Sequence, residues 1–187
     1  MKGLKGLDAI LEEAYRRGYE YLGRWRACAP TVFAAVMDTL GYGDDSVAGD
    51  VWKATVGLAG GTGNMSLGTC GAMAGAAAAI SFSFGFTMED LEKDVIKVLV
   101  INNAVAEVGE RMREKYGGIR CVDVQFHNWG KAYILSNPKA LTEFLAMSKD
   151  GKTMPECQRV TGDLTRWAVE KIIQCNPKFV KRGNFSF

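Results

Sequence analysis

From Ala54 to Met88 the chain carries no charged side chain. The stretch opens with a glycine-rich loop, Gly57-Leu58-Ala59-Gly60-Gly61-Thr62-Gly63-Asn64-Met65-Ser66-Leu67-Gly68. It continues as Thr69-Cys70-Gly71-Ala72-Met73-Ala74-Gly75 and on through Ala76–Ala79. A helix built from such residues has one smooth face, because Gly71, Gly75 and Ala79 recur every four positions. Small faces of this kind let neighbouring backbones approach closely. The sequence therefore predicts a buried helix at the centre of an all-α protein, with Thr69 as its cap and Cys70 in its first turn.

A chain of 187 residues can build a core without disulfide staples, and no linker or repeat divides it, so one domain spanning residues 1–187 is expected. The uncharged stretch is long enough to span a bilayer. Its glycine-rich opening and its alanine and serine continuation would drive insertion weakly, so no membrane span is expected. A net charge of +2 is too small to argue for nucleic acid, and Lys178, Lys181 and Arg182 read as a solvated basic end. The first residues meet charge before any apolar run and are not expected to be a secretory signal. Five cysteines, an odd number with no Cys-x-x-Cys pair, do not form a secreted disulfide framework, so a reducing, cytoplasmic setting is expected.

Six or seven helices can be placed around the central one. Leu4, Leu7, Ile10, Leu11, Ala14, Tyr15 and Leu22 recur at helical spacing, opposite a polar face of Glu12, Glu13, Arg16, Arg17 and Glu20. Cys28 stands just ahead of a second helix with Pro30 in its first turn, stopped by Gly41 and Gly43. A short helix is expected from Ser46 to Val56, capped by Asp45 or Ser46. Thr87 and Asp90 resemble a capping box opening one long helix to Tyr116. Val122, Val124 and Phe126 alternate as in a strand, yet nothing strand-like exists to pair with them, so 119–127 is read as irregular or a short helical turn. A short helix over Lys139–Met147 follows Pro138. Thr153 and Glu156 then form a capping box for a last helix reaching Ile173 and ended by Asn176-Pro177.

The cysteines carry the chemistry. Cys28 precedes a helix start, Cys70 lies in a first turn, and Cys157 follows a capping box. Helix N-termini present free N–H groups and partial positive charge, which favour thiolate over thiol. Cys175 lies eighteen residues beyond Cys157 on one helix, about 27 Å along its axis at 1.5 Å per residue, and is excluded from a shared site. The segment Cys70-Gly71-Ala72-Met73-Ala74-Gly75, with one cysteine well upstream and two downstream, resembles the redox-active family named for its C_GCAxxG_C_C pattern. The resemblance runs from about Cys28 to Cys157, and it alone brings in Cys121 as the fourth member. It implies a redox-active cysteine protein.

Four thiols of this kind point to three chemistries. Cys28, Cys70, Cys121 and Cys157 could hold an iron–sulfur cluster for electron transfer to an unidentified redox partner protein. Two of them, Cys70 with a neighbour, could cycle between dithiol and disulfide. Structural zinc is disfavoured, because its ligands usually come in closely spaced pairs. A reading from another class is a non-catalytic subunit whose small-residue face docks a partner helix or a second copy in a homodimer. Gly57–Gly63 lacks the Gly-Lys-Ser/Thr ending of a phosphate loop and reads as a close turn beside the cysteines. His127, the only histidine, is a surface or packing residue by expectation and a substitute ligand otherwise. The four tryptophans read as core or interface anchors. Asn102-Asn103 inside the long helix invites a hydrogen bond to the site or to a partner helix.

Overall fold

The computed structural model describes residues 2–147 and 154–181, with side chains from residue 6 onward. Among these residues the chain forms nine helices and no strand. They are α1 (Lys2–Trp25), α2 (Cys28–Leu40), α3 (Ser46–Thr55), α4 (Gly71–Phe84), α5 (Met88–Lys93), α6 (Ile96–Tyr116), α7 (Cys121–Trp129), α8 (Pro138–Ala146) and α9 (Pro155–Cys175). The all-α expectation is met. Among the described residues no helix is long and apolar enough to cross a membrane.

The core lies between α1, α2, α4, α6 and α9. Ile10, Val32, Phe33, Val36, Ile80, Val108, Met112, Leu164 and Ile172 are all buried in it. Two helix crossings depend on glycine. On α4, a Cβ at Gly75 would overlap the Ala29 carbonyl oxygen and lie 3.0 Å from its carbonyl carbon, so α2 rests directly on the α4 backbone. The smooth face read from the sequence is the face that α2 uses. On α9, a Cβ at Gly162 would come within 2.8 Å of the Tyr15 ring of α1. The same crossing is tied by Thr161 Oγ1, which donates to the Gly18 carbonyl at 2.9 Å.

Two differences from the expected helices account for the count of nine. The long helix from Thr87 to Tyr116 is broken. The Thr87–Asp90 capping box forms as expected, but Asp94 is extended (φ −148°, ψ 93°) and accepts the Ile96 N–H at 3.0 Å. Aspartate competes with the helix for backbone donors, and here it wins and starts α6 afresh. The ambiguous segment is a nine-residue helix, α7. Asp123 closes its first turn by accepting the Arg120 N–H at 3.1 Å and the Arg120 guanidinium. The only bridge of strand type among the described residues is the single antiparallel pair Thr69–Arg120. The Thr153 cap expected for α9 lies outside the described residues.

Asn102 and Asn103 are exposed on α6 and do not reach the cysteines. Trp167 is buried, whereas Trp25 is 44% exposed and packs edge-on against Trp52, with ring centres 6.1 Å apart.

Candidate functional site

Each of the four candidate cysteines sits at the beginning of a helix. Cys28 is the first residue of α2, Cys121 the first of α7, and Cys157 the third of α9. Cys70 is the cap of α4 rather than a member of its first turn, with φ −53° and ψ 131°. Thr69, the expected cap, is taken up by its bridge to Arg120.

Local backbone pairing brings Cys70 and Cys121 together. The Cys70 N–H donates to the Ile119 carbonyl at 2.7 Å, the Cys121 N–H to the Gly68 carbonyl at 3.0 Å, and the Val122 N–H to the Ser66 carbonyl at 2.9 Å. Close packing of α2 on α4 brings in Cys28, whose sulfur fills the space that a side chain at Gly71 would need. The α1–α9 crossing carries Cys157 to the same place. Cys28, Cys70, Cys121 and Cys157 all line one cavity of about 330 Å³.

The glycine-rich loop forms one wall. Five consecutive residues, Gly60 to Asn64, have positive φ, between 57° and 74°. Two of them, Thr62 and Asn64, are not glycine, and Ser66 follows at 65°. A β-branched residue rarely takes this conformation, and backbone strain of this kind gathers at functional sites. At Gly61 a Cβ would stand 3.0 Å from the Cys121 Cβ, so glycine is required both by the turn and by the cysteine behind it. The Gly60 N–H points at the Cys28 sulfur, 3.4 Å away. The loop is thus a close turn against the cysteines, as its lack of a phosphate-loop ending implied.

The sequence profile of the family described as "Putative redox-active protein (C_GCAxxG_C_C)" matches residues 26–171, well over half of the chain. The chain belongs to this family. No curated protein and no solved structure gave a match. The matched span contains all four cavity cysteines and leaves out Cys175, which is exposed at the end of α9.

The electrostatics of the family's four cysteines in this chain differ from what helix starts alone predict. Burial pushes all four thiols up from the ordinary cysteine value, Cys70 well above it. N–H donors oppose the shift at Cys28, and Gln125 and Ser66 oppose it at Cys121, but desolvation outweighs them. The thiols also raise one another: Cys28, Cys121 and Cys157 each disfavour a charge on Cys70. The helix starts were expected to favour thiolate, and desolvation of the four sulfurs opposes that preference. In this cavity the uncompensated thiol is the favoured form.

Two kinds of metal site take thiolate ligands of this type. Clusters take four thiolates, and four are supplied here from four separate helices. A single zinc needs ligands drawn in to about 2.3 Å from the metal. Among the described residues no three His, Cys, Asp or Glu side chains are gathered closely enough to hold one ion. His127 does not join them; it is exposed and lies edge-on to Tyr116, ring centres 5.5 Å apart.

Gln125 is a residue the sequence reading missed. It is 2% exposed and donates through Nε2 to the Cys121 sulfur at 3.3 Å, to Ser66 Oγ at 3.3 Å and to the Tyr133 carbonyl at 3.2 Å. Its Oε1 accepts the Tyr133 N–H at 2.6 Å. Its signal was its place four residues after Cys121, one helical turn on. That signal is empty until 119–127 is known to be helical.

Proposed function

We propose that the protein is an electron-transfer protein whose Cys28, Cys70, Cys121 and Cys157 hold an iron–sulfur cluster serving a redox partner protein. The observation that carries this reading is the meeting of four helix starts, far apart in sequence, at one cavity wall set. When bound, such a cluster supplies reversible electron transfer at a potential tuned by hydrogen bonds to sulfur and by burial.

The chain's own residues have definite tasks in this scheme. The Gly60 N–H and Gln125 Nε2 donate toward the Cys28 and Cys121 sulfurs and stabilise negative charge there. Val124, Leu135 and Phe144 line the same cavity and keep water from the sulfurs. Repulsion among the four thiolates is relieved only when a cation balances them, so loss of the four protons is coupled to metal uptake.

The direct test is iron and acid-labile sulfide content after oxygen-free purification. The proposal expects both, with a broad visible absorption that bleaches on reduction. Replacing Cys28, Cys70, Cys121 or Cys157 singly with serine lowers both, and Cys175→Ser changes neither. Iron-free protein from oxygen-free cells would refute it.

A second reading, thiol–disulfide exchange between Cys28 and Cys70, is favoured by one contact. The Cys28 sulfur packs on Gly71, the residue next to Cys70. It expects colourless protein whose reduced form titrates two more thiols than its oxidised form.

A further inference from the structure

The outer face of α6 changes character half-way along. From Val95 to Ala106 the only charged side chain is Lys97. It is turned onto Asp90, 2.6 Å away, and onto the Phe86 ring, 5.3 Å from its centre. The inner side of this half packs through buried Ala104 and half-buried Val98, Ile101 and Val105. Its outer side is apolar too: Val95 is 67% exposed, Ile96 57%, Leu99 51% and Val100 44%. Val95 with Leu99 and Ile96 with Val100 are one helical turn apart, so the four make one patch. Beyond Ala106 the outer face turns to charge, with Glu107, Glu110 and Arg113 all exposed. A surface helix sends charge outward, and a helix that is apolar all round is a buried one. Among the described residues nothing covers this half of α6.

The size of the patch suits one half of an interface. At about 1.45 Å² per dalton of extended chain, the four exposed fractions amount to roughly 340 Å². Two such patches bring about 680 Å² together, and at an apolar share of about 57% they form the centre of an interface of about 1,200 Å², where specific, stable interfaces begin. The ends of the patch are complementary to each other. At its head Asp94 is exposed and accepts the Ile96 N–H, with acceptor capacity to spare. At its tail Asn103 is exposed and can donate. The two lie nine residues apart, about 13 Å along a helix, with Leu99 near the midpoint. A two-fold axis beside Leu99 therefore sets Asn103 of each copy toward Asp94 of the other. The patch itself is uncharged, and Glu107, Glu110 and Arg111 beside it are paired within the chain to Lys171, Arg113 and Glu170, so like charges are not forced together.

We infer that this face of α6 is the interface between two copies of the chain, crossing about a two-fold axis at Leu99. No residue of α6 lines the cysteine cavity, so the inference does not rest on the cluster reading.

Sedimentation velocity tests it on the full chain carrying Cys175→Ser and kept reduced, so that the exposed Cys175 cannot cross-link copies. An interface of this size is expected to give a dissociation constant of about 1–100 µM. Leu99→Lys puts two cations at the axis and should weaken association at least about 100-fold. Val47→Lys, at an exposed valine of α3, should leave it unchanged. Asn103→Asp sets carboxylates together at both ends and should weaken it about tenfold. Adding Asp94→Asn to the same chain exchanges the two groups and should restore most of the affinity. Unchanged urea midpoints establish that the variants fold. A parent that stays monomeric, a Leu99→Lys protein that still dimerises, or equal loss with Val47→Lys would overturn the inference. So would a doubly exchanged protein as weak as Asn103→Asp alone. A parent that stays monomeric but binds phosphatidylglycerol vesicles, and loses them with Leu99→Lys, would assign the face to a lipid surface instead.

Discussion

Gly75→Ala is the substitution that most directly tests how the cysteine site is built. In an exposed helix interior this change stabilises by about 0.5–1 kcal/mol, because alanine gives up less backbone entropy on folding. At position 75 the new methyl group would overlap the Ala29 carbonyl oxygen and lie 3.0 Å from its carbonyl carbon and 3.1 Å from its Cα. These are backbone atoms of a fully buried residue, so no side-chain rotation relieves the overlap and α2 as a whole must move. Overpacking of this kind costs about 1–3 kcal/mol. Set against the gain in propensity, the net effect is a destabilisation of about 1–2 kcal/mol. Gly49→Ala provides the control. It is also helical, in α3, and a Cβ there meets nothing within 4 Å, so it should stabilise by about 0.5–1 kcal/mol. Urea denaturation of both variants reads the difference. With a slope of roughly 2 kcal/mol per molar, their midpoints should separate by about 1 M in opposite directions from the parent. Because Cys28 directly precedes Ala29, Gly75→Ala should also lower iron retention, and Gly49→Ala should not. If Gly75→Ala is as stabilising as Gly49→Ala, the close approach of α2 to α4 is not what holds Cys28 at the cavity.

Other expectations follow from the same structure. Gln125→Leu strands the Tyr133 N–H and removes the donor to Cys121, and should destabilise by about 2 kcal/mol or more, measured by denaturation. In metal-free folded protein at pH 8, a chromogenic disulfide should react fast with the exposed Cys175 and at least about tenfold more slowly with the other four thiols. Unfolding should make all five equivalent. The Glu13 carboxyl is held down to about 2, first by its hydrogen bond from Arg16 and further by Arg17, against the opposing cost of its burial. A lowered carboxylate stabilises fully above its unfolded value and loses that contribution as pH falls from about 4.5 toward 2, so Glu13→Gln should be the less stable protein at pH 7 and equal to the parent at pH 2. Solvent screening of this half-exposed cluster limits the difference to about 1 kcal/mol.

The parts of this fold that were legible in the sequence are those governed by local chemistry. The caps at Asp45 and Thr87, proline in the first turns of α2 and α9, and the glycine stops at Gly41 and Gly117 all stand where residue type requires them. The small-residue face of α4 was legible for the same reason, since only a close partner explains glycine at every fourth place. The illegible parts depend on tertiary pairing. Nothing within 119–127 reveals that Thr69 and Arg120 will pair across some fifty residues, and without that pairing the Val122, Val124 and Phe126 alternation mimics a strand. Gln158 was hidden for a different reason. Its amide donates to the Tyr19 carbonyl across the α1–α9 crossing, and that bond exists only once the two helices have packed.

The opposition between helix starts and burial bears on what the site is for. A helix N-terminus stabilises a nearby negative charge, but only when that charge is present. Here four such ends converge on thiols that burial and mutual repulsion keep protonated. A site meant to hold one reactive thiolate would be built with fewer sulfurs and with a basic side chain beside the nucleophile. Among the described residues Arg26 is the one basic residue on the cavity wall, and no cysteine owes a lowered value to it. Four sulfurs whose anions would repel one another make chemical sense when something positive is placed among them. The N–H groups of Gly60 and the four helix starts then stabilise the charge that remains on sulfur, and each cysteine that is lost takes away one of the four ligands on which the bound cation depends. Single cysteine replacements should therefore not be additive: the first removes most of the bound iron, and a second in the same protein removes little more.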